Sequence, residues 1–276
     1  GNLADEGILN EQDTIGKFLP EFKGKPLENV SIENLLRMAS GTDCREHVKD
    51  RVSFTDPNHC FYQLLQHSTL FPEPKTPFEE NLMELVANAG AYDYTSANSV
   101  ILATIAERAS SKPFHQLVQE YIWSKIGAED DARTTLSSTG VAGSYGTMLM
   151  RLRDLARYGL AFTDDATTKI ASERYLSQIH KGDRELFRSE GGTGQRLWLK
   201  LYEDQGPLFQ SYHWDVVFDD GDFVKFGLGG QAVYISPEKR LVIAFFSANK
   251  DETQNNMNMV YLVRSLALLE HFKGYN

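Results

Sequence analysis

Cysteine is nearly absent from the sequence, which carries only Cys44 and Cys60. Two cysteines do not define a disulfide framework, so the chain is no disulfide-stapled miniature fold. They stand in neighbouring segments, open either to pairing in an oxidising compartment or to life as small buried hydrophobes. The compartment therefore stays open. Positive charge is also short: 28 Lys and Arg face 38 Asp and Glu, for a net charge of -10. An acidic chain without a basic cluster repels a phosphate backbone, which excludes nucleic acid as a partner. No apolar run is long enough to span a bilayer. The seven histidines form no His-Glu-x-x-His pair and the acidic residues no EF-hand, so neither a metal nor a cofactor is expected.

Three nucleophile or phosphate signatures are missing too. No Gly-x-Ser-x-Gly elbow occurs. Gly191-Gly192-Thr193-Gly194 has no preceding strand and no Lys-Ser/Thr after it, so it is not a phosphate loop. Ser-x-x-Lys occurs as Ser236-Pro237-Glu238-Lys239 and Ser247-Ala248-Asn249-Lys250. The first reads as a hairpin turn and the second as a strand end. Chemistry on that pair needs Ser and Lys one helical turn apart, facing one pocket, and neither place offers it.

What is present is a large globular chain. Its 276 residues with 41% hydrophobic content suit one large domain or two lobes. The first two-thirds read as helix. Ser31 is a candidate N-cap for a helix over Ile32 to Ala39. Further helices are expected over Pro57 to Ser68, Pro77 to Asn88, Thr95 to Ala109 and Pro113 to Ile126, the last stopped by Gly127. Thr147 to Phe162 and Ala166 to His180 complete the set. After about residue 195 the pattern changes. Phe209 to Phe218, Phe223 to Phe226, Gln231 to Ser236 and Leu241 to Ser247 read as strand. Asp219-Asp220-Gly221-Asp222 and Ser236-Pro237-Glu238-Lys239 read as turns between them. Met257 to Phe272 closes the chain as an amphipathic helix. Helices, then an antiparallel meander, then a helix give an α+β fold.

Two segments carry candidate chemistry. Tyr92-Asp93-Tyr94-Thr95-Ser96-Ala97-Asn98 opens a helix, and Lys225-Phe226-Gly227-Leu228-Gly229-Gly230-Gln231 lies between strand runs. Each residue also has a plain reading. A Tyr at a helix start is ordinarily a packed aromatic, Ser96 is placed to act as an N-cap or first-turn residue, and Lys225 fits an exposed strand position. The glycines fit a bulge. Trp198, Tyr202, Tyr212 and Trp214 fit a cleft wall or, as is more usual for strand aromatics, the core.

In this order the segments resemble the second and third motifs of the serine β-lactamase and penicillin-recognising hydrolase superfamily, class C type. Leu35 to Gly41, Arg153 to Gly159 and the opening Leu3 to Leu9 extend the likeness, and Trp123 to Ala132 with the Tyr-x-Ser form is similar to 6-aminohexanoate-dimer hydrolases and related esterases. The resemblance implies a single β-lactamase/transpeptidase-like domain over 1–276. A helical lobe would span about 10–195, and a sheet with its closing helix about 196–276. It implies a serine hydrolase that cleaves a small amide or ester through an acyl-enzyme. The Ser-x-x-Lys nucleophile segment and the first strands are then expected upstream of residue 1, and the chain alone is expected to be inactive. An upstream segment, a second chain or a dimer would cover the gap.

By the same resemblance, Tyr94 is the general base or proton relay and Ser96 a hydrogen-bonding partner, with Asn98 a weaker candidate. Lys225, Gly227, Leu228 and Gly229 form the substrate-binding and oxyanion strand. Ser96 in place of Asn, and Phe226 in place of a small or hydroxylated residue, argue against β-lactam recognition. The alternatives are a D-alanyl-D-alanine peptidase or β-lactamase, and an inactive ligand-binding relative.

Overall fold

The computed structural model describes residues 1–42, 44, 90–136, 140, 142–146, 148–182, 186, 208–227, 230–248 and 254–269. The expected helices Pro57 to Ser68 and Pro77 to Asn88, and Cys60, Trp198, Tyr202, Leu228 and Gly229, lie outside these residues. Within them, short helices α1 (Asn2–Asp5), α2 (Ile15–Phe18) and α3 (Ile32–Leu36) lead to the long α4 (Ser96–Ser110). Then come α5 (Phe114–Val118), β1 (Arg133–Thr134), β2 (Met148–Leu149), α6 (Leu152–Leu160) and α7 (Glu173–Lys181). The chain continues through β3 (Leu208–Ser211), β4 (Trp214–Phe218), β5 (Phe223–Gly227), β6 (Gln231–Ser236), β7 (Leu241–Phe246) and α8 (Gln254–Ala267). Strands β3 to β7 form one antiparallel meander in sequence order. The fold is α+β, an antiparallel sheet flanked by helices.

Opposite faces of the sheet are covered by different helices. On one face, Gly159 of α6 lies so close to Val233 and Val242 that an added Cβ would come within 2.6 Å of Val242 Cγ1. On the other, Arg264 of α8 reaches the Tyr234 hydroxyl at 2.9 Å. Val233 and Tyr234 are consecutive strand residues and so point to opposite faces. The α8 contact is a buried polar network. Asp222, fully buried, accepts from Tyr234, from Ser236 Oγ at 2.5 Å and from Arg264 at 2.7 Å. Buried charge is tolerated here because each carboxylate oxygen is paired.

There are two apolar cores. One surrounds the sheet, with Trp214 and Phe223 in edge contact at 4.5 Å. The other gathers Ile15, Leu19, Phe22, Leu35, Val100 and Ile101 between α2, α3 and α4. Leu36 packs against both. Strand β7 pairs, among the described residues, with β6 alone. All its residues are apolar and at least partly exposed.

Several elements differ from expectation for local reasons. Helix α3 is capped by Ser31, which accepts from Asn34 N at 3.1 Å, but ends at Leu36 because Met38 adopts φ 54°. The helix expected from Pro113 continues as a π-turn over Gln119–Trp123 before Gly127 ends it. Met148 and Leu149, expected in a helix, pair instead with Thr134 and Arg133, and α6 starts only after Arg151. Helix α7 begins at Glu173, where Ser172 caps Tyr175 N at 3.1 Å. Phe209 to Phe218 is not one strand but a hairpin, turned at Tyr212 and His213 with φ 51° and 66°. Helix α8 starts three residues earlier than expected, at Gln254. Cys44 is buried and disulfide-bonded.

Candidate active site

The site lies on the seam between the two cores. Tyr94 is the second residue before α4. The segment that carries it is held to the stretch after α3 by Gly90 N to Ala39 O at 3.0 Å and Asp93 N to Met38 O at 2.8 Å. Thr95 then completes the anchor. Its hydroxyl accepts from Ala97 N at 3.2 Å and donates to Cys44 O at 3.0 Å. The N-cap is therefore Thr95, and Ser96 is the first helical residue, two positions past Tyr94. Asn98 is not part of the cleft. It is fully buried and accepts a hydrogen bond from Ser40 Oγ at 2.6 Å.

Lys225 comes from β5, in the other core. Its ammonium donates to both oxygens of Asp215, each at 2.8 Å. Asp215 lies on β4, one step beyond the Val216–Val224 pair, so the two residues face each other across adjacent strands. Asp215 Oδ2 also accepts from Phe226 N at 2.9 Å. Lys225 Nζ is 5.5 Å from the Tyr94 ring centre. Burial works against the ammonium, but the charge of Asp215, then Tyr94 and the hydrogen bonds to both, raise its pKa above the usual lysine range. The residue stays cationic.

Two neighbours stay neutral. Burial, then the negative charge of Asp215, holds the Tyr92 phenol well above its usual pKa. Of the two tyrosines in the motif, it is Tyr94 that has the cation beside it. His213 bonds through Nε2 to Leu35 O at 3.1 Å and through Nδ1 to Ser99 Oγ at 3.4 Å. A carbonyl only accepts, so the proton sits on Nε2 and Nδ1 takes the Ser99 hydroxyl. Burial, with Lys225 adding repulsion, pushes its pKa down to about 4.

Gly227 follows Lys225 by two residues and so shares its face of β5. Its lack of a side chain has a local cause, since a Cβ there would come within 2.9 Å of the Gln231 side chain opposite. Tyr212 and Trp214 belong to the sheet core. Asp215 and His213 were not singled out from sequence. The signal for Asp215 was available: it is the one charged residue in Trp214-Asp215-Val216-Val217-Phe218, and a charge in such a strand needs a partner. No sequence signal marked His213.

The arrangement brings a phenol near an ammonium paired with a buried carboxylate, between the two cores. The β-lactamase family profile matches residues 1–268, and the chain belongs to that family. It is 25% identical over 255 residues to the 6-aminohexanoate-dimer hydrolase of Paenarthrobacter ureafaciens, covering 91% of this chain and 63% of the relative. The chain thus spans less than two-thirds of that curated relative. A Bacillus anthracis structure, provisionally described as a 6-aminohexanoate-dimer hydrolase, superposes with a TM-score of 0.74 at 20% identity, covering 99% of this chain and 69% of that one. A β-lactamase/D-alanine carboxypeptidase from Yersinia pestis gives a TM-score of 0.64 at 17% identity, with 96% and 79% covered. At those identities the two structures speak to the fold alone.

Proposed function

We propose that the chain is the larger part of a serine hydrolase that cleaves a small uncharged amide or ester through an acyl-enzyme. The observation that carries this is the Lys225 ammonium, kept charged, 5.5 Å from the Tyr94 ring centre. A phenol ordinarily titrates near about 10, and an adjacent ammonium favours its anion. Tyr94 then takes the proton of the attacking serine hydroxyl as the Ser Oγ–carbonyl bond forms, and passes it to the leaving nitrogen or oxygen as the scissile C–N or C–O bond breaks. Water repeats the sequence to release the acid. The serine and its lysine are assigned to a Ser-x-x-Lys segment outside these 276 residues.

Ser96 supports the leaving group from the first turn of α4. Gly227 lets the substrate approach the strand edge. The likeness to 6-aminohexanoate-dimer hydrolase supports an amide with flexible, unbranched flanks as the first substrate to try.

The test is hydrolysis of p-nitrophenyl butyrate and of a linear amide dimer by the full-length protein and its Tyr94→Phe variant. The variant should lose about 10²- to 10⁴-fold in kcat, the usual worth of a positioned acid–base group. An unchanged kcat would remove Tyr94 from the mechanism.

A further inference from the structure

An ammonium has three N–H donors and no more. In Lys225 one goes to each oxygen of Asp215, at 2.8 Å, and the ammonium lies 5.5 Å from the Tyr94 ring centre. Asp215 is in turn held by the Phe226 N–H at 2.9 Å. Its side chain is 8% exposed, against 37% for Lys225. The pair carries no net charge.

We infer that Asp215 is a specificity-determining residue: by pairing with and neutralising Lys225 it denies the site a carboxylate-binding cation, and so selects substrates whose acyl group is uncharged. This rests on the proposed hydrolase reading for its kinetic form, but the geometry concerns binding as well. A substrate carboxylate approaching Lys225 meets an ammonium that already gives two donors to Asp215. It also meets the negative charge of Asp215 a few ångströms behind.

Asp215→Asn keeps the shape, removes the negative charge and frees at least one Lys225 donor. The anionic probe is mono-p-nitrophenyl glutarate and the neutral one p-nitrophenyl butyrate. In the full-length protein, the ratio of kcat/KM for anionic over neutral ester should rise about tenfold in Asp215→Asn, the scale of one partly solvated charge pair. It should fall back in Asp215→Asn/Lys225→Met. Loss of fold or of general activity moves both esters together and leaves the ratio alone, so a purely structural role for Asp215 predicts no change in it. An unchanged ratio overturns the inference.

If the wild type hydrolyses neither ester, the hydrolase reading fails and binding decides instead. Glutarate titrated into both proteins, followed by NMR line shifts, should then bind Asp215→Asn more tightly than wild type. Equal affinities would overturn the assignment of Asp215.

Discussion

His213 shows how much one residue can hold. It occupies a hairpin turn in the left-handed region with φ 66°, where a non-glycine side chain is normally unwelcome. From there it bonds to α3 through Leu35 and approaches α4 through Ser99. Its pKa lies near 4, below the roughly 6.5 of a free imidazole. The unfolded chain therefore binds this proton more readily than the folded one. The stabilisation from the neutral ring is complete above about pH 6.5 and drains away as pH falls towards 4, by roughly 2–3 kcal/mol. His180, also held down by burial, acts in the same direction. Asp5, Asp13 and Asp220, whose pKa values are lowered, lose their contribution only below the ordinary aspartate range. Urea unfolding of wild type and His213→Asn at pH 7 and pH 4.5 should show a shallower pH dependence in the variant, since asparagine tolerates a positive φ. Parallel slopes would show that His213 is not the titrating group.

At this scale the sequence was legible only in part. Tyr94 and Lys225 were visible because motif order constrains them. The Tyr212–His213 turn was not, because it uses neither Gly, Asn nor Asp. Only the surrounding contacts hold those backbone angles.

Among the elements, α6 is placed by a single absence. Gly159 sits against Val233 and Val242, and an added Cβ would be 2.6 Å from Val242 Cγ1. A helix ordinarily gains about 1 kcal/mol when Gly becomes Ala. Here overpacking against a stiff β-branched side chain costs about 1–3 kcal/mol, so the clash outweighs the propensity. Gly159→Ala should lower the urea midpoint, and Gly159→Ala/Val242→Ala should recover part of the loss. A stabilised single variant would mean that α6 slides freely on the sheet.

Helix boundaries were readable where a side chain caps them, as Ser31 does. They were misread where pairing between distant segments decided the outcome. Met148 and Leu149 have helical propensity, yet they meet Arg133 and Thr134 as strand. No local pattern carries that information. The third and fourth strands merged in the sequence for the same reason: alternation continues across a turn that lacks turn residues.

At the scale of the whole molecule, there are two cores, and each supplies one half of the proposed site. Tyr94 enters from the helical side and the Lys225–Asp215 pair from the sheet. A site split this way reports how the lobes are seated, and a small displacement of either separates phenol from ammonium. The β-lactamase family membership covers residues 1–268, but the serine that such a site would activate was not found with helical Ser-x-x-Lys geometry in the sequence. Ser236, one of the two sequence matches, is buried and bonded to Asp222 at 2.5 Å. Mapping a fluorophosphonate adduct by mass spectrometry on the full-length protein therefore tests the central claim most directly. The account predicts one stoichiometric adduct, on a serine of a Ser-x-x-Lys segment outside residues 1–276, formed more slowly in Tyr94→Phe. An adduct on any serine within the 276 residues, or a rate indifferent to Tyr94, would contradict it.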